Sequence, residues 1–153
     1  INTYDGYGTP SIDVKAVQTK QKIKVAWITS GAVDEQHGSW RIRRLNIHRW
    51  LLVNGVDSQL VDCTVTDDVR KAYNADVCVF ISFGPVEEEL IGKLKRRGIK
   101  CVIDHCEDLF GLPYQTECFE AVDAIVCCST VLSDKTAKYG RTIMIPDACE
   151  ESC

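Results

Sequence analysis

The feature that most constrains this chain is an alternation of short apolar runs, rich in β-formers, with stretches of helical character. The runs are IKVAWITS from Ile23, DSQLVDC at 57–63, ADVCVFIS at 75–82, IKCVID at 99–104, DAIVCCS at 123–129 and TIMIP, closed by Pro146. Most of them are continuously apolar rather than alternating, which is the pattern of strands covered on both faces. Strands of that kind separated by helices predict an α/β fold: a doubly wound, mainly parallel sheet flanked by helices, Rossmann-like, in a single domain.

The intervening helices carry their own signals. In WRIRRLNIHRWLLVNG the residues Leu45, His48, Leu52 and Gly55 follow helical spacing, Ser39 stands where an N-cap would stand, and Asn54-Gly55 supplies the stop. TDDVRKAY is long enough for one or two turns. VEEELIGKLKRRG carries Glu early, Lys and Arg late and Gly at its end, in keeping with the helix dipole. VLSDKTAKYG predicts a further helix that stops at Gly140. Residues 1–22 are polar, contain Gly6, Gly8 and Pro10 and show no sustained period, so they read as a flexible N-terminal extension. Residues 23–148 form the predicted domain, and 149–153 a tail or the start of an interdomain hinge.

With 153 residues the chain can bury one substantial core without staples. A net charge of -4, with Lys and Arg in no long run, gives no electrostatic case for a nucleic-acid partner. The absence of a long apolar stretch or of a signal-peptide core predicts no transmembrane segment and a cytoplasmic location. Of the nine cysteines, Cys78, Cys101, Cys127 and Cys128 lie in apolar runs and are expected to behave as small buried hydrophobes. His105, Cys101, Cys106 and Cys118 lack the tight paired spacing of a structural zinc site, so no metal and no cofactor are expected. Trp27 and Trp50 are expected in the core, and Trp40, beside the Gly38-Ser39 turn, is the tryptophan with a chance of lining a cleft.

Ligands of open α/β sheets bind beyond the carboxyl ends of the strands. Two segments qualify. The loop from Ser30 to Ser39 has Gly31 and Gly38 for close backbone approach and leads to Arg41, Arg43 and Arg44, an arrangement suited to phosphate or carboxylate. The same residues also read as a surface loop entering a helix with solvated arginines. The segment IDHCEDLFG at 103–111 gathers Asp104, His105, Glu107 and Asp108, which could orient a sugar hydroxyl, act as general base or hold a metal, or else form a solvated connection.

The order VAWIT, a Gly-containing loop, GSWRIRRLNIHRWLLVNG, VIDHCEDLFG, VDAIVCCSTVLSDKTAKYG and RTIMIPDA resembles the N-terminal Rossmann-like domain of GT-B glycosyltransferases over about residues 23–148. The resemblance implies that Gly31, Gly38, Ser39 and Arg41 approach an interdomain cleft as acceptor- or anion-binding residues. It also implies that Asp104, His105 and Asp108 lie on a loop that contacts a sugar or glycolipid-type acceptor, as candidate catalytic residues. The nucleotide-sugar site of such enzymes belongs to a second, donor-binding domain, without which this chain is expected to be inactive. A non-catalytic binding or protein-interaction module of the same fold is the alternative.

Overall fold

The computed structural model describes residues 22–31, 38–81, 84–107, 111 and 114–146. The expected N-terminal extension therefore lies outside the described residues, apart from Lys22, as do the tail at 149–153 and Asp108. The described chain forms a single six-stranded sheet in the order β2-β1-β3-β4-β5-β6, every neighbouring pair parallel. The strands are β1 (Lys24–Thr29), β2 (Asp57–Asp62), β3 (Val77–Phe80), β4 (Lys100–His105), β5 (Ala124–Cys127) and β6 (Thr142–Met144). The order reverses direction between β1 and β3, which sets the topological switch point there. The doubly wound α/β reading of the sequence describes this architecture.

Strand pleating divides the sheet into two unlike faces. On one, Ala26, Ile28, Val61, Cys78, Phe80, Cys101, Ile103, Ile125 and Cys127 belong to one buried cluster. The helices α3 (Thr66–Ala72), α4 (Pro85–Lys95), α5 (Gln115–Ala121) and α6 (Thr130–Thr136) close it with Ala72, Leu90, Ile91, Leu94, Cys118, Phe119 and Leu132. The cysteines here act as small apolar side chains. Burial pushes the Cys78 and Cys101 thiols up to about 12. All seven cysteines among the described residues are free thiols.

Local chemistry sets the helix limits. Pro85 sits in the first turn of α4 with Glu87 and Glu88, and Lys93 and Lys95 in the last. Glu87 curls back over Gly84, where a Cβ would meet its Oε2 at 2.9 Å. The Ser129 hydroxyl caps α6 by accepting from the Leu132 N–H at 3.3 Å. Gly98, at φ 78°, ends the turn after α4 with its N–H on the Lys95 carbonyl and that of Ile99 on Leu94. The helix α5 had no signal of its own in the sequence reading, since QTECFEA is short and follows a Gly/Pro-containing stretch.

The other face carries Trp27, Leu60, Val79, Val102, Asp104 and Val126. Among the described residues, the segment between β1 and β2 lies across it, and Ile145 and Pro146 border it. That segment is α1 (Gly38–Trp40), a π-helical stretch over Arg41–Leu45, and α2 (Asn46–Val53). The helix begins by Gly38, so Ser39 stands inside it rather than at the cap the sequence suggested. Trp50 also departs from expectation: it is 60% exposed, because no residue of α2 is buried and the helix meets the sheet through a narrow seam.

A candidate site at the carboxyl edge of the sheet

The π-helical stretch explains how this face acquires its chemistry. Its widened turn, marked by the Asn46 N–H bonding to the Arg41 carbonyl five residues back, turns Arg43, Arg44 and Leu45 all inward. An ordinary amphipathic helix would leave one of three consecutive residues in water. The solvated-arginine reading is thus corrected for two of the three: Arg43 is 7% and Arg44 1% exposed. Arg41 is half-buried.

Arg43 reaches across to the carboxyl end of β4. Its Nε donates to Asp104 Oδ2 at 2.9 Å and its Nη2 to Oδ1, a fork-to-fork pair with both side chains 8% exposed. Such a pair joins the helix to the sheet by charge, and removing either partner would take a charge-assisted pair out of a buried place. Arg44 lies differently. Its guanidinium carbon sits 3.9 Å from the centre of the Trp40 ring, a cation–π contact one helical turn back. Its Nε and Nη1 are buried with no hydrogen-bond partner among the described residues. Burial lowers its pKa to about 10, partly opposed by the charge of Asp104.

Farther along the helix the attachment is neutral. Trp27 Nε1 donates to Ser58 Oγ at 3.0 Å, and the same hydroxyl lies 2.8 Å from His48 Nδ1. Burial, helped by Arg49, lowers the His48 pKa, which fits a neutral imidazole accepting the Ser58 proton.

Between these two anchors lies a hollow of about 300 Å³. Trp27, Val79, Val102 and Val126 form its floor, Ile42 and Ile47 one wall, and Ile145 and Pro146 the other. Arg43 and Asp104 supply the polar groups of the lining, both near the carboxyl edge. The result is an apolar cavity with one charged end, the usual form of a small-molecule site.

Asp104 and His105, singled out together from sequence, are not brought together. Asp104 and His105 are the last two residues of β4, not members of a loop, and both are buried. Because neighbours on a strand point to opposite faces, Asp104 enters the hollow while His105 packs edge-on against Phe119, ring centres 5.1 Å apart, in the opposite core. They do not form one acid–base group. Gly31, at φ 99°, does need to be glycine, but its N–H is taken by Asp62 Oδ1 at 3.2 Å. Hydrogen bonds from Thr64, first of all from its hydroxyl, hold the Asp62 carboxyl below the usual range, so Gly31 has an acidic neighbour. Gly38 has open space where a Cβ would stand. Nothing is described of the Ser39 side chain.

Sequence reasoning counted Arg43 and Arg44 only as added positive charge; their burial depends on a π-turn that periodicity does not reveal. No group of His, Cys, Asp and Glu among the described residues is arranged to hold a metal ion. No helix among them is long and apolar enough to cross a membrane. No protein-family model matches this chain, and comparisons with curated proteins and with solved structures find no match either.

Proposed function

We propose that this domain contributes the acceptor side of a glycosyl transfer from a nucleotide-sugar, working with a donor-binding domain or partner chain on the cytoplasmic side. The observation that carries this reading is the apolar hollow closed at the carboxyl edge by the Arg43–Asp104 pair. Its lining suits an acceptor with an apolar body better than a bare sugar, whose hydroxyls would lose water without gaining partners. A glycolipid-type acceptor would lay its aglycone along Val79, Val102 and Val126 and turn its sugar toward Arg43 and Asp104. Asp104 then acts first by fixing Arg43 at the mouth, as a positioning residue. Transfer itself needs the donor half, because orientation of the two reactants supplies much of the rate.

Calorimetric titration with a short-chain alkyl glucoside below its micelle concentration tests the reading. Binding is expected for the alkyl glucoside, at least about tenfold weaker binding for glucose, and none for a uridine-diphosphate sugar, since full burial of apolar surface contributes about 25 cal/mol per Å². Binding of the nucleotide-sugar alone, with none of the alkyl glucoside, would overturn it.

A second reading, a non-catalytic Rossmann-like interaction module, draws support from α2, where Trp50 is 60% and Val53 86% exposed. It predicts a protein partner that protects Trp50 and leaves the hollow empty.

A further inference from the structure

We propose that Cys106 and Cys128 form a dithiol at the carboxyl edge of the sheet, which a low-molecular-weight disulfide converts into a bridge between the ends of β4 and β5. Access comes first. Of the seven cysteines among the described residues, Cys63, Cys78, Cys101, Cys118 and Cys127 are buried, whereas Cys106 and Cys128 are half-buried. The two that a reagent can reach are also neighbours. β4 and β5 run parallel with His105 opposite Cys127, so Cys106 and Cys128 follow as the next pair along the ladder. Paired strands stand about 4.8 Å apart, within the range of about 4.4–6.8 Å found between the Cα atoms of a disulfide. The chains have not diverged at this point, since the Cys128 thiol donates to the Cys106 carbonyl at 3.5 Å. Side-chain rotation, without movement of the backbone, is then enough to bring the sulfurs together.

A second pair shows why position matters. Cys78 and Cys101 also stand opposite one another, on β3 and β4, but both lie in the closed core, their thiols on the carbonyls of Ala72 and Ile99 at 3.6 and 3.9 Å. A disulfide reagent does not reach them. At the edge, burial raises the Cys106 thiol to about 11 and the charge of Arg43 opposes the rise, so its capture is slow near neutral pH and quickens as pH rises. One thiolate attacks a sulfur of the reagent RSSR, forming a mixed disulfide and expelling RS⁻. The other thiolate attacks the protein sulfur of that mixed disulfide, closing the Cys106–Cys128 bond and expelling a second RS⁻. The leaving thiolates take up the two protons that the cysteines lost, so two protein thiols are oxidised and the reagent is reduced to two RSH. The bond closes a loop that contains α5 and ties the strand ends just beyond Asp104 and Val126, at the charged end and floor of the hollow.

The inference does not depend on the acceptor reading, because its readout is a covalent bond rather than ligand binding. The full chain is incubated with oxidised glutathione, the remaining thiols are blocked with N-ethylmaleimide, and unreduced peptides are mapped by mass spectrometry. A peptide linking Cys106 to Cys128 and lighter by two hydrogens is expected, formed about tenfold faster for each pH unit from about pH 7 to about pH 9. The oxidised chain should also show a higher urea midpoint, since the closed loop restricts the unfolded state. Cys106→Ser and Cys128→Ser should each stop at a glutathione mixed disulfide on the remaining thiol, with no rise in midpoint, while Cys149→Ala/Cys153→Ala keeps the bridge. If a serine variant does not fold, the peptide map of the native chain decides. Mixed disulfides without a bridge in the native chain, a bridge from Cys106 or Cys128 to another cysteine instead, a Cys78–Cys101 bridge formed in preference, or loss of the bridge in Cys149→Ala/Cys153→Ala would each overturn the proposal.

Discussion

The two faces of this sheet are built from alternate residues of the same strands, yet they solve different problems. The face under α3, α4, α5 and α6 is dry and closed: Ile28, Phe80, Ile91, Ile103 and Cys127 interlock with almost no exposed surface. The face under α2 is held by two polar anchors, Arg43–Asp104 and Trp27–Ser58–His48, with an apolar hollow between them. Close packing belongs to the first, and a cavity with a buried ion pair to the second. The division is economical because a tightly packed face tolerates little change, whereas a face spanned by a few anchors can present cavities and charge.

The largest test of that contrast compares two substitutions on neighbouring strands. Phe80→Ala, in the closed core, should cost about 3–5 kcal/mol, whereas Val102→Ala, on the floor of the hollow, should cost less than about 1.5 kcal/mol because it enlarges an existing space. Urea denaturation of both variants measures the difference, and equal losses would erase the distinction between the faces.

Next in size is the charged anchor. Asp104→Leu leaves Arg43 buried without its partner and should destabilise by about 3 kcal/mol, while the double change Arg43→Met/Asp104→Leu should recover most of that loss. A double variant no more stable than the single one would mean that the pair itself, rather than its satisfaction, holds the helix to the sheet.

The last test concerns pH. The folded Cys78 and Cys101 thiols sit near 12, above the ordinary thiol range, because burial disfavours the thiolate. A group whose folded pKa is raised contributes its stability fully below the unfolded pKa and loses it as pH rises through the folded one. Unfolding free energy should therefore fall between about pH 9 and pH 12, with a slope for each thiol of about 1.4 kcal/mol per pH unit at most. The Cys78→Ala/Cys101→Ala variant should show a shallower fall over that range. An unchanged slope would place the alkaline sensitivity outside the closed core.

The closed face was largely legible in the sequence. Continuous runs such as VCVF and KCVID name buried strands, and Glu-early, Lys-late patterning with a terminal Gly names α4, because both follow from local periodicity and terminal chemistry. Cys78, Cys101 and Cys127 behave as the core residues they were expected to be. The open face was not legible to the same degree. Trp50 looked like core and lies in solvent, since helical period does not tell how much of a helix its sheet will cover. Asp104 and His105 looked like one acid–base cluster and face opposite ways, because the strand continues to His105 and pleating separates them.

By itself, then, the sequence determined the α/β class, the order of the strands and of the helices other than α5, and the apolar character of the main core, all of which depend on neighbours within about a dozen positions. Tertiary structure decided the strand order, the π-turn that buries Arg43 and Arg44, and the meeting of Arg43 with Asp104 across 61 positions of chain. Those outcomes depend on which distant groups come within reach once the sheet has formed. A charge that would be hydrated on an isolated helix becomes, at the edge of a packed sheet, a buried group that requires a partner.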